Sequence, residues 1–355
     1  MSSDEHAPGA LDTVALTEDE AARMRGVCTE VADALVESDL ATDAAMATVE
    51  LAARGLPRRL VAALVAFRMG NQGRALLVRN VPVDRELPAT PGDGYLSDWR
   101  AVRIATTAQL MMMSYLGDVI AYADEKRGQI VQDVAPVPGA ERRQENSGSV
   151  CLELHTENGF HPFKPDVLSL LCLRSGHDGA GQTLTGAVGP VLPRLSRVCL
   201  DVLRRPLFRI RYSSSFAHLG AGGFSDPVAV LSGPVDDPEL VADFHAMEPL
   251  SLEARWALEE LETVLTSSLT SVPPQDGALL VVDNRRAVHG RTAFTPRYDG
   301  ADRWLRRCFA VADLGRSRGF RTPGSRVCAP LTAIRGDRYG APLRLVMGDA
   351  APKAA

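Results

Sequence analysis

The chain lacks the run of roughly 18 apolar residues that a membrane span needs, and its first residues contain no apolar leader segment. Basic runs are missing as well, and the formal net charge is -5, which argues against nucleic acid and anionic membranes as partners. Closely spaced cysteines are also absent. Cys28, Cys151, Cys172, Cys199, Cys308 and Cys328 are scattered, mostly in apolar segments, and read as reduced packing residues of a soluble, cytoplasmic protein. No repeat, low-complexity tract or domain-sized break in composition divides the chain. With 355 residues, 45% of them hydrophobic, it can bury a large core as one extended domain or a barrel with helical additions. The zinc-peptidase run His-Glu-x-x-His on a helix does not occur either.

What is present is concentrated in two stretches. The first contains Leu152-Glu-Leu-His155-Thr-Glu157 and reads as a strand or strand end, so His155 and Glu157 share one side while Thr156 points away. An imidazole and a carboxylate side by side are two ligands for a divalent metal. The second stretch places His289 just past the apolar strand Gly277-Ala-Leu-Leu-Val-Val. Two histidines and one carboxylate form the facial triad of non-haem Fe(II) oxygenases, which leaves positions open for a co-substrate and O2. Zinc accepts the same donors, so the triad alone leaves the metal open. A lone His-x-Glu is common by chance. Arg303, fourteen residues past His289, gives it meaning. A 2-oxoglutarate enzyme needs a bidentate, permanently charged partner for the co-substrate's distal carboxylate. On a strand starting near Asp302, Arg303, Leu305 and Arg307 share a face. Two guanidiniums so close are costly unless anions pair with them.

These motifs carry a resemblance. His155-Thr-Glu157, Leu168-Ser-Leu-Leu-Cys-Leu-Arg174, Asp283-Asn-Arg-Arg-Ala-Val-His289-Gly-Arg and Phe294 through Arg307 resemble the clavaminate synthase-like branch of Fe(II)/2-oxoglutarate oxygenases. Within that branch the likeness is to hydroxylases of free L-arginine and L-asparagine from peptide-antibiotic pathways, over about Thr17 to Arg326. The resemblance implies an α+β fold with a double-stranded β-helix (jelly roll) core and flanking helices. It implies Fe(II), 2-oxoglutarate and O2 as the reacting set, a small amino acid as the partner, and an iron site of His155, Glu157 and His289. Arg303 and Thr183 would hold 2-oxoglutarate, and Arg307 the amino acid's carboxylate. Glu125, Asn146, Ser149 and Ser215 are further implied substrate contacts. Arginine hydroxylases of the group carry two acids separated by one residue, whereas here the matching positions read Val241-Ala-Asp243. One acid suits a cationic or strongly hydrogen-bonding side-chain end, so arginine or citrulline lead, followed by lysine or asparagine, oxidised at C3 or C4. A modified or carrier-bound amino acid, desaturation and cyclisation stay open. So do a zinc hydrolase and a non-catalytic binding protein as rivals of another class. Oligomeric state is left open.

In chain order, 1–15 is expected to be disordered and 16–326 to be a single oxygenase domain. The latter comprises a helical buttress over 16–70 and a core over 74–312 with a lid at about 213–245, and 327–355 is a flexible tail. Thr17-Glu-Asp-Glu20 is a capping box opening a helix to about Glu37. Helices are further expected over 41–54, Pro57–Met69, Ala101–Leu116, Val191–Arg205 and Ser251–Ser268. Strands are expected over 74–82, 128–134, 166–174, 207–212, 278–283 and 303–312. Met111-Met-Met113 reads as helix packing rather than an adaptable surface. His161, four residues past Glu157, is a tempting extra ligand. Pro162 and Pro165 argue against the helix that this spacing would need, so a place behind the ligands or on the surface is preferred.

Overall fold

A computed structural model describes residues 11–70, 73–145, 147–219 and 223–337. The capping box forms as the sequence dictates. The Thr17 side chain accepts from Glu20 N, and Glu20 reaches back to Thr17 N, opening the helix Glu18–Ala34. Helices Asp43–Ala53 and Arg58–Arg68 follow, and Glu18–Ala34 with Asp43–Ala53 covers the helix Arg103–Met113. The last is buried over all of Ile104–Met113, because it is sandwiched between those helices and a sheet. Met111, Met112 and Met113 are therefore core.

That sheet has eight strands in the order Asp12–Ala15, Ala75–Arg79, Leu279–Asp283, Val167–Arg174, Trp304–Val311, Asp118–Tyr122 and Val327–Cys328, with Val131–Val134 also paired to Trp304–Val311. Alternation gives it two apolar faces. Leu171, Leu173, Leu279, Val281 and Trp304 pack under the helices, while Leu168, Leu170, Leu280, Val282 and Leu305 face the opposite way. The second sheet has four strands, Thr270–Val272, Thr183–Ala187, Ala287–Arg291 and Leu152–His155. A third apolar cluster joins it to the helices Arg197–Leu203 and Leu252–Thr266. No helix among the described residues is long and apolar enough to cross a membrane.

Several expectations need correction. Asp12–Ala15, expected within a disordered stretch, is an edge strand paired in parallel with Leu76–Arg79. The start of the expected tail is also ordered: Val327–Cys328 pairs with Ala121–Tyr122, and Leu331–Asp337 is helical. The helix expected over Val191–Arg205 is broken. A 3-10 turn over Gly189–Arg194 contains Pro193, and Ser196 then caps a separate helix Arg197–Leu203. The expected strand ending at Tyr212 is only Phe208–Ile210.

His161 is neither ligand nor surface. It is 3% exposed, edge-on to the Tyr122 ring at 4.7 Å, and its Nδ1 accepts from Phe163 N at 3.0 Å. Burial pushes its pKa down to about 3. Above about pH 6.5 both folded and unfolded chains hold it neutral; below that the unfolded chain binds a proton that the folded one refuses. This contribution to stability is lost steadily as pH falls from 6.5 towards 3. In His161→Asn the amide oxygen replaces the Nδ1 acceptor. The drop in urea midpoint between pH 7 and 5 should be clearly smaller than in the wild type, and equal drops would contradict this burial account.

Candidate active site

The strand Leu152–His155 lies antiparallel to Ala287–Arg291, with His155 opposite His289 in the register. Gly290 permits this approach, since a Cβ there would meet Leu152 O at 2.7 Å. The two imidazole centroids are 4.3 Å apart, and His289 Nε2 is 3.7 Å from Glu157 Oε2. One ligand atom each of His155, Glu157 and His289 lies within 4.8 Å of the others. His155 Nδ1 is 2.9 Å from Glu153 O. A carbonyl can only accept, so Nδ1 carries the proton and Nε2 presents its lone pair.

Glu157 sits just past its strand, in a turn that the sequence reading did not resolve. Asn284 holds this turn from both sides: its Oδ1 accepts from Glu157 N at 2.7 Å and its Nδ2 donates to Glu157 O at 3.0 Å and Pro165 O at 2.7 Å. Asn284 was missed, although it lies in the quoted Asp-Asn-Arg-Arg run. Its role depends on a contact across 127 positions of sequence.

Arg307 is buried beside the triad. Its guanidinium donates to Glu157 Oε2 at 2.8 Å, to Glu125 and to Gln132. Burial favours a neutral Glu157, but the Arg307 charge and the two histidines outweigh it and hold its pKa below the ordinary range. Burial pushes Glu125 upwards, against the pull of Arg307. Asn158, in a left-handed conformation at φ 50°, donates to the other Glu125 oxygen at 2.9 Å. Burial also pushes His289 down to about 4, so its imidazole is neutral and able to ligate at neutral pH.

Glu125, Glu157, Arg307, Asp243 and Ser215 all line one cavity of about 810 Å³, together with His155. Asp243 is brought in by a backbone bridge to His155, and its Oδ1 accepts from His245 N at 3.1 Å and Ala246 N at 2.7 Å. Ser149 is not a lining residue. It is buried, and its backbone ties Glu141 to Phe294. Asn146 lies outside the described residues.

Arg303 does not line this cavity; it donates to the Thr183 hydroxyl at 3.3 Å and is 5% exposed. It forms no ion pair with an acid among the described residues, its Nε has no partner, and burial pushes its pKa down to about 10. A charged group buried this way is expensive until a carboxylate reaches it. Two imidazoles and a carboxylate at one point, together with a buried guanidinium that no acid answers among the described residues, fit a divalent metal and an anionic co-substrate.

Comparison with known proteins agrees with that donor set. The family model described as taurine catabolism dioxygenase TauD, TfdA family, matches residues 237–309. An L-asparagine oxygenase of Streptomyces coelicolor is 43% identical over 269 residues, which is 75% of this chain and 79% of that protein. An L-lysine 3-hydroxylase of Catenulispora acidiphila is 38% identical, covering 79% of each chain. A crystal structure of asparagine oxygenase with Fe(II), 2S,3S-3-hydroxyasparagine and succinate superposes with a TM-score of 0.84 at 37% identity, over 89% of this chain and 99% of that one. The chain belongs to the clavaminate synthase-like Fe(II)/2-oxoglutarate-dependent oxygenases, beside the amino acid hydroxylases, and is an iron- and 2-oxoglutarate-dependent dioxygenase.

Proposed function

We propose that this dioxygenase hydroxylates a free L-amino acid with a polar side-chain end, at C3 or C4. On this reading the chain from the strand Asp12–Ala15 to the strand Val327–Cys328 is one catalytic domain, and its two sheets form a double-stranded β-helix (jelly roll). His155, Glu157 and His289 hold Fe(II), while Arg303 and Thr183 hold the distal carboxylate of 2-oxoglutarate. Bound there, iron and 2-oxoglutarate supply the oxidising power that attacks an unactivated C–H bond. The work of the remaining residues is orientation. Arg307 takes the α-carboxylate and Glu125 the α-amino group, which fixes the distance of each side-chain carbon from the metal. Of the segment expected as a lid, Ser213–Ser215 and Asp243 line the cavity and keep water from the amino acid, while Val230, Leu231, Leu240 and Ala242 belong to the third apolar cluster. The observation that carries the reading is the clustered triad, two of whose members, His155 and Glu157, line a cavity whose walls also bear Arg307 and Asp243.

Asp243 orders the substrates differently from the sequence alone. Its Oδ1 is already engaged by two backbone N–H groups, and Val241 supplies no second acid. The other oxygen suits one N–H of a carboxamide or an amine better than the fork of a guanidinium. Asparagine therefore moves ahead of lysine, citrulline and arginine. It is also the substrate named for the 43%-identical relative. Asp243→Asn tests this. The amide oxygen keeps both backbone bonds, while the charge is lost and a donor replaces the free acceptor. With asparagine in a panel of amino acids, KM should rise roughly 30-fold or more while 2-oxoglutarate affinity stays within about twofold. Unchanged turnover of every responsive amino acid would remove Asp243 from the substrate site.

A further inference from the structure

The 2-oxoglutarate end of the site contains a second buried guanidinium that neither the motif reading nor the proposed function uses. Arg291 lies two residues past His289 on the strand Ala287–Arg291, so both side chains leave the same face. In the neighbouring strand the residue opposite Arg291 is Thr183, whose hydroxyl accepts from Arg303. Arg291 is 3% exposed. One of its terminal nitrogens donates to Val150 O at 3.0 Å, its guanidinium carbon lies 5.1 Å from the Phe294 ring centroid, and its Nε has no partner among the described residues. Phe294 and Arg303 approach each other around Gly181, where an added Cβ would meet Arg303 Cδ and the Phe294 ring, each at 3.0 Å. Arg291, Phe294, Thr183 and Arg303 thus form one wall.

Arg291 stands opposite Thr183 and Arg303 bonds the Thr183 hydroxyl, so the two buried guanidiniums repel each other. Among the described residues no acid forms an ion pair with either arginine. Two like charges buried together without a counter-charge are unfavourable on their own, whereas one carboxylate placed against both would relieve each. Packing alone does not require a cation here, because the Phe294 stack and the Val150 bond would be served by a neutral donor.

We infer that Arg291 is a second cation for the distal carboxylate of 2-oxoglutarate, acting with Arg303 to select a 2-oxo dicarboxylic acid over 2-oxo monocarboxylic acids. This rests on the assignment of Arg303 and Thr183 to that carboxylate. Arg303 provides the direct fork, while Arg291 sets the charge of the wall and supplies its free Nε–H.

The test is anaerobic titration of the Fe(II)-loaded protein with 2-oxoglutarate and with 2-oxovalerate, which has the same chain length without the distal carboxylate, read by calorimetry. For Arg291→Gln the Kd for 2-oxoglutarate should rise roughly 30-fold, while that for 2-oxovalerate changes less than about threefold. In turnover the loss should appear in KM for 2-oxoglutarate and not in kcat, and Arg291→Lys should recover most of it. Parallel weakening of both ligands, or unchanged 2-oxoglutarate affinity, would overturn the inference and leave Arg291 a prop for Phe294 and Val150. Arg303→Gln separates the two levels. If it leaves 2-oxoglutarate binding intact, the underlying site assignment fails. If it abolishes binding while Arg291→Gln does not weaken it, only the inference about Arg291 fails.

Discussion

Replacing Arg307 by methionine is expected to destabilise the metal-free protein by about 3–5 kcal/mol, the cost of stranding buried charge by removing one partner. The reason is the stoichiometry of the cluster. One guanidinium stands between two carboxylates, Glu125 and Glu157, which are 5% and 7% exposed. Without it, two like charges remain buried with only Asn158, the Asn284-held turn and the two imidazoles beside them. Gln132 Oε1 loses its donor as well. Chemical denaturation at pH 7 measures the effect, and acidification should recover part of it, because carboxylates without their cation have raised pKa values and protonate in the folded state. Amino acid binding should be lost in the same variant, since its carboxylate would then meet two acids and no cation. A loss of stability below about 1 kcal/mol would show that Arg307 is not the counter-charge of this cluster.

Glu157→Ala removes the same ion pair from its other end, with a contrasting outcome. Arg307 keeps Glu125 and Gln132, so the cluster passes from one cation between two anions to a balanced pair. Stability of the metal-free protein should therefore change by less than about 1.5 kcal/mol, because relief of the repulsion between the two carboxylates offsets the lost hydrogen bond. Catalysis should respond far more. With one of three ligands gone, turnover at saturating 2-oxoglutarate is expected to fall at least about 10³-fold, near 4 kcal/mol of barrier. Iron retention should fall with it. The pair of variants separates two functions of one contact: Arg307 chiefly balances charge and Glu157 chiefly ligates. Equal destabilisation by both would contradict that division.

The elements that could be read from the sequence were those fixed by local pattern. The capping box at Thr17, the apolar run before His289 and the spacing of Arg303 with Arg307 need only neighbours in sequence, whereas Glu157 lies in a turn past the strand that a period of two assumes. The residues that position them do not announce themselves this way. Asn284, Gln132, Asn158 and Arg291 are polar residues that become informative only once folding brings them to Glu157, Arg307, Glu125 and Thr183. A buried Arg at position 291 looks the same in the sequence as the half-buried Arg285 and Arg286 and the exposed Arg297 around it. Short strands such as Thr183–Ala187, rich in Thr and Gly, lack the apolar run that marked Val167–Arg174. Helix 191–205 failed for a local reason, Pro193, that an amphipathic pattern conceals. For Asp243, the sequence indicated one acid in place of two. The backbone bonds to Oδ1 show that half of that acid is already committed.

The most direct measurement couples two products: succinate formed and oxygenated amino acid formed by the Fe(II)-loaded protein, across the twenty amino acids with citrulline and ornithine. The account predicts that asparagine, or failing it another polar or basic amino acid, stimulates succinate formation and gains one oxygen atom per succinate. Zn(II) in place of iron should give neither product. Binding of 2-oxoglutarate with no stimulation by any free amino acid would contradict the assignment of Arg307 and Asp243 to a free amino acid.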